Sequence, residues 1–447
     1  MEIGGKWVET EIPKSVLEAI QHPLVWRMGD IRQLSFCNYP IAGNPIGVGG
    51  DIRFYPGANY PRIEHAMGTM LLTLLTHDVN SSVREEASEI KEEVAVAACV
   101  HDIGHPPFSH TIEHSPLIGE THEKFTYDLI LSELGPHVER VGLDPEVVAQ
   151  VATGIDAESD LCAISQLITG SEGIDRVAYL TKDSTISGER LRFDPFKIIG
   201  SYNVGGHEVV LVVTSPNDIS EFYGLHKARA ILTRKLYGSV QNRSGTTMLK
   251  NAFERVVMEG AFDAHVFQQE MHSQRDYEML GELKRAAEEA GLRREADIIE
   301  NLDSGRLFPP IGCFCVNEEV YEKRRIDEIR HDPKTRTKYE EELEEELRTN
   351  GLPILIDSVV LPRADKGETR VIVKGKRREE ASLREWNPSY WSQIREAHKQ
   401  AEHTFYVFAH PDYTTSMKRP RDREIREAIM SVFGLEEEDL DKRRIII

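Results

Sequence analysis

Cysteine is scarce in this chain: Cys37, Cys99, Cys162, Cys313 and Cys315 are the five in 447 residues. So few, so scattered, do not make a disulfide framework, and a reducing compartment is implied. Cys313-Phe-Cys315 alternates as a strand does and has no second cysteine pair, so a buried strand fits it better than a metal knuckle. The amino terminus has no basic-then-apolar leader, and nowhere do about 18 apolar residues run together, which argues against a secretory signal and a membrane-spanning helix. Basic residues are outnumbered as well, 54 against 75 acidic, for a net charge of −21. That balance disfavours non-specific binding of nucleic acid over the whole surface and leaves anion binding to a local basic pocket. No internal repeat is evident. A cytoplasmic enzyme without a membrane or nucleic-acid partner is expected.

What is present is mostly helical spacing. From about residue 14 to 300 apolar residues recur with a 3.6-residue period over Ser15–Ile20, Arg62–Leu75, Val94–His101, Thr121–Leu134, Pro145–Thr153, Ser165–Thr181 and Glu221–Glu259. Near residues 198–214 a short β interruption is expected, around His207–Val213. Strands are expected again over Gly312–Val316, Leu355–Leu361, Arg370–Lys374 and Thr404–Ala409. The expected fold is therefore mainly α: a helical core over 1–305 with a small β insertion, then a smaller α+β part over 306–447. That second part would pack on the core or serve oligomerisation, and the mixed-charge tail from Arg419 would pack against another subunit. Lys338–Arg348, rich in glutamate, reads as a solvated helix face. The loop 38–51 suits a lid or interface element and equally a plain surface insertion.

One short segment carries chemistry. Val94-Ala-Val-Ala-Ala-Cys-Val100 reads as a buried helix of small side chains, and it ends in His101-Asp102. A histidine and a carboxylate in such a place are costly to desolvate unless something binds them. Adjacent helical positions point about 100° apart, so both can reach an ion lying between them. Gly104 and two prolines then stop the helix, and His105, His110, His114 and His122 follow closely. Upstream, His65 opens another apolar helix; downstream, Asp175 stands among apolar residues. Two imidazoles and two carboxylates make a mixed nitrogen and oxygen set that suits Fe, Mn, Ni, Co or Zn and leaves positions open. His331-Asp332, before a proline in a charged stretch, reads as a solvated turn instead.

In this order the residues resemble the HD-domain metal-dependent phosphohydrolases, and within them the deoxynucleoside triphosphate triphosphohydrolases. The resemblance covers roughly residues 10–260. It rests on Ile20-Gln-His-Pro-Leu-Val-Trp-Arg-Met-Gly-Asp-Ile-Arg-Gln-Leu34, Phe54-Tyr-Pro-Gly-Ala58, Arg62-Ile-Glu-His65, His101-Asp-Ile-Gly-His-Pro-Pro-Phe-Ser-His110, Asp175-Arg-Val-Ala-Tyr179-Leu-Thr-Lys-Asp183 and Phe222-Tyr-Gly-Leu-His-Lys-Ala-Arg229. It implies a helical HD phosphohydrolase core and hydrolysis of a dNTP to deoxynucleoside and inorganic triphosphate.

The resemblance also assigns roles. His65, His101, Asp102 and Asp175 would hold a divalent transition metal, with Mg2+ accompanying the triphosphate. Arg62, Arg176 and Arg229 would grip phosphates, for which arginine's planar fork is suited. His105, His110 and His122 would supply acid/base chemistry, one of them protonating the leaving oxygen. Gln33 and Asp183 would bond the sugar 3′-hydroxyl, while Leu34, Tyr179 and Tyr237 would pack on the sugar and exclude a 2′-hydroxyl. A homo-oligomer is implied too.

The chain departs from the family pattern in two places. Ser239-Val240 replaces a histidine-lysine pair, and Gln21, Trp26 and Gly29 stand where relatives hold an activating guanine nucleotide. No sterile-alpha-motif domain is expected before residue 10, and activation by GTP-driven assembly is not expected. The same ligand set would also serve an HD enzyme acting on a nucleoside monophosphate, cyclic nucleotide or other phosphate ester, a nuclease, or a non-catalytic nucleotide sensor.

Overall fold

The computed structural model describes residues 2–3, 6–7, 9–45, 54–157, 159–189, 193–205, 208–213, 218–316, 328–359, 370–373, 379–399, 404–416 and 422–439. The chain is mainly α, as its periodicity implies. Helices α1 (Arg62–Val79) and α2 (Lys91–Val100) pack side by side at the centre of the largest core. Ala95, Ala97 and Ala98 of α2 are fully buried, and their small side chains allow that close approach. The buried threonines of α1 satisfy themselves, Thr69, Thr73 and Thr76 each bonding the carbonyl four residues earlier. Helix α3 (His122–Leu129) runs directly into a π-helical turn, Ile130–Leu134. No helix among the described residues is long and apolar enough to cross a membrane.

Two segments with continuous helical spacing are in fact broken, each at glycine. The stretch expected as Ser165–Thr181 divides into a helix Ser159–Thr169 and α4 (Ile174–Ser187). The chain turns tightly between them, and a Cβ on Gly173 would lie 2.4 Å from the Ile168 carbonyl oxygen. The stretch expected as Glu221–Glu259 divides into α5 (Ile219–Leu232), a π turn Thr233–Tyr237 and α6 (Val240–Met258). The break falls after Gly238, where Ser239 caps α6 by accepting the Asn242 amide at 3.4 Å. The residue that departs from the family pattern is thus the cap of a helix.

Sheet pairing crosses the boundary expected near residue 305. The insertion is a hairpin, β1 (Tyr202–Gly205) and β2 (Glu208–Val213), with Tyr202 opposite Leu211. Two later strands join it. Apart from a two-stranded pairing of Glu2–Ile3 with Lys6–Trp7, the strands that follow in chain order are β3 (Pro310–Cys315), β4 (Ile354–Val359), β5 (Arg370–Val373), β6 (Glu379–Ser382) and β7 (Thr404–Ala409). β5 pairs parallel with β2, Val371 beside Leu211, and β6 closes the edge, so the order is β1-β2-β5-β6. The three-stranded sheet, β3-β7-β4, is antiparallel around a wholly buried β7 and contains Cys313 and Cys315 as buried strand residues.

Helix α7 (Asp276–Glu289) packs beneath α6, and α8 (Pro333–Leu347) lies on β4. The expected solvated face of α8 is only half of it. Glu340 is fully buried, accepting from the Asn251 side chain at 2.6 Å and the Ile356 amide at 3.0 Å, with Arg294 alongside. A buried carboxylate requires such partners. Asp332 caps α8 at the Lys334 amide and is exposed, as a turn residue would be. The described part of the tail, helix Asp422–Phe433, buries Ile425, Ile429 and Phe433 in this chain's own third core. Of the loop 38–51, residues 46–51 lie outside the described ones; the Ala42 and Asn44 amides bond Leu307 and Thr414.

Candidate active site

The end of α2 and the start of α1 bring the expected metal ligands together. His65 Nε2 lies 2.9 Å from Asp175 Oδ1 and 3.8 Å from Asp102 Oδ2. His101 Nε2 lies 3.6 Å from Asp102 Oδ1 and 3.5 Å from Asp175 Oδ1. Metal bonds of about 2.0–2.2 Å at right angles put neighbouring ligand atoms about 3 Å apart, so the spacing fits a shared ion. His101 Nδ1 donates to the Ala98 carbonyl at 2.9 Å, a contact that leaves the Nε2 lone pair facing the cluster.

The electrostatics are those of a converged cluster. Burial would lower the His101 imidazole, but Asp102 and Asp175 outweigh it and raise it to about 9. Burial opposes ionisation of Asp102, yet His101, Arg62 and His105 hold it well below the usual carboxylate range. Asp175 is likewise low: burial pushes up, and hydrogen bonds from His101 and His65 pull down further. Arg62 is 2% exposed, paired with Asp102 through one nitrogen and donating from Nε to Ser109 Oγ at 2.6 Å. It therefore orients a ligand as well as facing the cavity.

Beside the ligands, three histidines gather on a residue that the motif reading left out, Glu113. His110 Nδ1 and His122 Nδ1 each lie 2.7 Å from its carboxylate, and the His122 backbone amide donates to it at 2.8 Å. His105 and His122 stack with centroids 3.7 Å apart, and their Nε2 atoms face Asp102 Oδ1 at 3.5 and 3.8 Å. Burial, with Arg62 and His122 nearby, drives the His105 imidazole well below its ordinary value and keeps it neutral. For His122, burial lowers the value, but Glu113 and Asp102 outweigh burial and raise it. His114 stacks on His110 at 5.3 Å, one step away from Glu113. The signal for Glu113 was available, because His110-x-x-Glu113 puts both on one helical turn.

Gly104 explains how His122 comes so near. A Cβ there would lie 2.4 Å from the Thr126 nitrogen and 2.5 Å from the His122 carbonyl. Only glycine lets the loop after Asp102 lie flat against α3. The Gly104 amide donates to Thr126 Oγ1 at 3.0 Å, and that hydroxyl donates to the His101 carbonyl at 3.1 Å.

Every ligand, acid/base, phosphate and sugar residue expected from sequence lines one cavity of about 890 Å³. Arg176 and Arg229, on α4 and α5, are among its lining residues. Asp183, 1% exposed and on α4 with Arg176, accepts from the Tyr237 and Tyr60 hydroxyls, each at 2.6 Å. Burial raises this carboxyl to about 6, against the pull of the two tyrosines. Tyr179 sits edge-on to both His65 and Tyr237, at 6.3 and 6.4 Å, and Leu34 is buried nearby. Gln33 Oε1 is buried in this wall without a hydrogen-bond partner. Tyr60, which bonds Asp183, and the lining residues Arg243, Asp357, Lys250 and Arg336 escaped the sequence reading.

Residues 62–160 match the HD domain family. The chain carries an HD domain. The chain is 32% identical over 134 residues to an uncharacterized protein of Methanocaldococcus jannaschii, covering 30% of this chain and 25% of that one. It is 28% identical over 165 residues to the human deoxynucleoside triphosphate triphosphohydrolase SAMHD1, 33% of this chain and 23% of that one. The chain thus matches only about a quarter of the length of these two relatives. In fold it is similar to the crystal structure of a phosphohydrolase from Bacteroides thetaiotaomicron, with a TM-score of 0.64 at 17% identity over 89% of this chain and 96% of that one.

Proposed function

We propose that this HD domain hydrolyses deoxynucleoside triphosphates to deoxynucleosides and inorganic triphosphate. The observation that supports this most is the cavity that Arg62, Arg176, Arg229 and the Asp183–Tyr237 pair share with the His65–His101–Asp102–Asp175 cluster. A divalent transition metal held by that cluster would polarise a phosphate oxygen and activate water. Arg176 and Arg229 bind phosphate oxygens, and Arg62 keeps Asp102 turned toward the cluster. The buried Asp183 carboxylate accepts the 3′-hydroxyl proton, and the Gln33 side-chain amide, whose oxygen has no partner within the protein, turns to donate from its NH2 group to the hydroxyl oxygen.

Leu34, Tyr179 and Tyr237 fill the space beside the 2′-carbon, and the Tyr237 hydroxyl is already committed to Asp183. A ribose 2′-hydroxyl would enter that wall without a partner, which disfavours NTPs. His122, oriented twice over by Glu113, protonates the leaving 5′-oxygen, and neutral His105 stacked on it keeps water from the ring face. The human relative named above is a deoxynucleoside triphosphate triphosphohydrolase, and its similarity extends over 165 residues, 33% of this chain.

The test is a product analysis of metal-loaded protein incubated with dNTPs and NTPs separately. Deoxynucleoside and triphosphate from dNTPs, with NTPs at least about ten-fold slower, is the expected result; about 1.4 kcal/mol of discrimination corresponds to that ratio. Hydrolysis confined to monophosphates or cyclic nucleotides would assign the site to another phosphate ester.

A further inference from the structure

Asp276 opens α7 and belongs to no group named so far, yet its carboxylate reaches both halves of the site. Oδ1 accepts the Phe108 amide at 2.7 Å, and Oδ2 accepts the Arg32 amide at 3.0 Å. Phe108 closes the loop that carries His105 and leads into His110; Arg32 immediately precedes Gln33 and Leu34. We propose that Asp276 is a positioning residue that ties sugar recognition to proton transfer, by anchoring the Gln33 segment and the His105–His110 loop on one carboxylate.

Three further observations support it, and the proposal rests on the functional reading given above. First, the loop needs an anchor. Phe108 and Ser109 have φ of 56° and 54°, a left-handed conformation that side-chain-bearing residues rarely adopt without being held there. Second, the two segments touch again, because the Ser109 hydroxyl that accepts from Arg62 also donates to the Arg32 carbonyl at 3.4 Å. Third, the front of the loop is clamped from the same direction. Buried Arg27 donates to the Ile103 and His105 carbonyls at 3.1 and 2.7 Å. It also donates to the Met271 and Gln274 carbonyls at 2.9 and 2.8 Å, in the chain leading into α7.

The chemistry of the anchor is specific. Two amides converge on one side chain, so it must present two acceptors and no donor, which a carboxylate does and an amide does not. Asp276→Asn can accept from one amide only; its NH2 group would face the other N–H. One of the two segments is then released, and a histidine displaced by a fraction of an ångström loses alignment with the leaving oxygen.

The test compares wild type, Asp276→Asn and Asp276→Glu, all metal-loaded. Asp276→Asn should lower kcat on a dNTP about ten-fold or more and shrink the dNTP-to-NTP ratio about three-fold, with metal content unchanged. Asp276→Glu, which keeps two acceptors, should recover part of both. Hydrogen exchange read over residues 30–34 and 106–110 should accelerate about ten-fold in the asparagine variant. An unchanged ratio in an active wild-type background, or wild-type exchange in either segment, would overturn the coupling. Wild type inactive on dNTPs would instead sink the functional reading, and the exchange measurement would still decide whether Asp276 holds both segments.

Discussion

Glu113 meets His122 twice, at the imidazole Nδ1 and at the backbone amide, 2.7 and 2.8 Å away. The double contact fixes the ring so that Nε2 faces Asp102 and the cluster. Glu113→Gln keeps the shape but can serve His110 and His122 with one acceptor less. It should lower kcat about 100-fold, within the range of a lost general acid, and leave metal content unchanged. Steady-state kinetics alongside metal analysis checks this. Loss of the metal together with activity would place Glu113 in metal binding instead.

Gly104 supplies a second expectation, on stability. Gly104→Ala sets a methyl carbon 2.4 Å from the Thr126 nitrogen and 2.5 Å from the His122 carbonyl, neither of which can yield without moving α3. The cost should be about 1–3 kcal/mol in a denaturant titration, with activity lost as His122 shifts. A denaturation midpoint equal to wild type would mean that the loop and α3 are not held in contact.

Much of this site was legible because its expected metal ligands sit at ends of apolar helices. His65 begins α1, His101 ends α2 and Asp175 begins α4, so periodicity and motif point to the same residues. Glycine hid the breaks after Thr169 and Tyr237, since it fits a helical pattern while allowing the turn. The parallel pairing of Leu211 with Val371 was not legible, because a register between distant strands depends on what covers them. Nor was the burial of Glu340, which needs Asn251 and Arg294 from other helices before it is affordable.

Asp183 carries a pH dependence whose sign can be worked out. Burial raises its carboxyl from 3.8 to about 6, so the fold favours the protonated form. Its contribution to stability is full below about pH 4 and is lost as pH rises through 6. Asp183→Asn, neutral throughout, should therefore gain on wild type between pH 4 and 7, by up to about 3 kcal/mol for two pH units. Denaturation midpoints at both ends of that range measure it. A variant that gains nothing with pH would mean that the Tyr60 and Tyr237 hydroxyls fully offset burial.

The ligand assignment is tested by metal content. Purified protein should hold about one transition-metal ion per chain, and His101→Ala combined with Asp102→Ala should abolish both metal and activity. Full occupancy in the double variant would show that the ion is held elsewhere.

The most direct measurement of the central claim is isotopic. With dNTP hydrolysed in heavy-oxygen water, attack at the α-phosphorus places one label on the terminal phosphorus of inorganic triphosphate that had been bonded to the nucleoside. The sharing of one cavity by His65, His101, Asp102 and Asp175, the arginines and the Asp183–Tyr237 pair leads to that prediction, with unlabelled deoxynucleoside as the other product. Labelled dNMP with pyrophosphate, or dNDP with labelled phosphate, would contradict it.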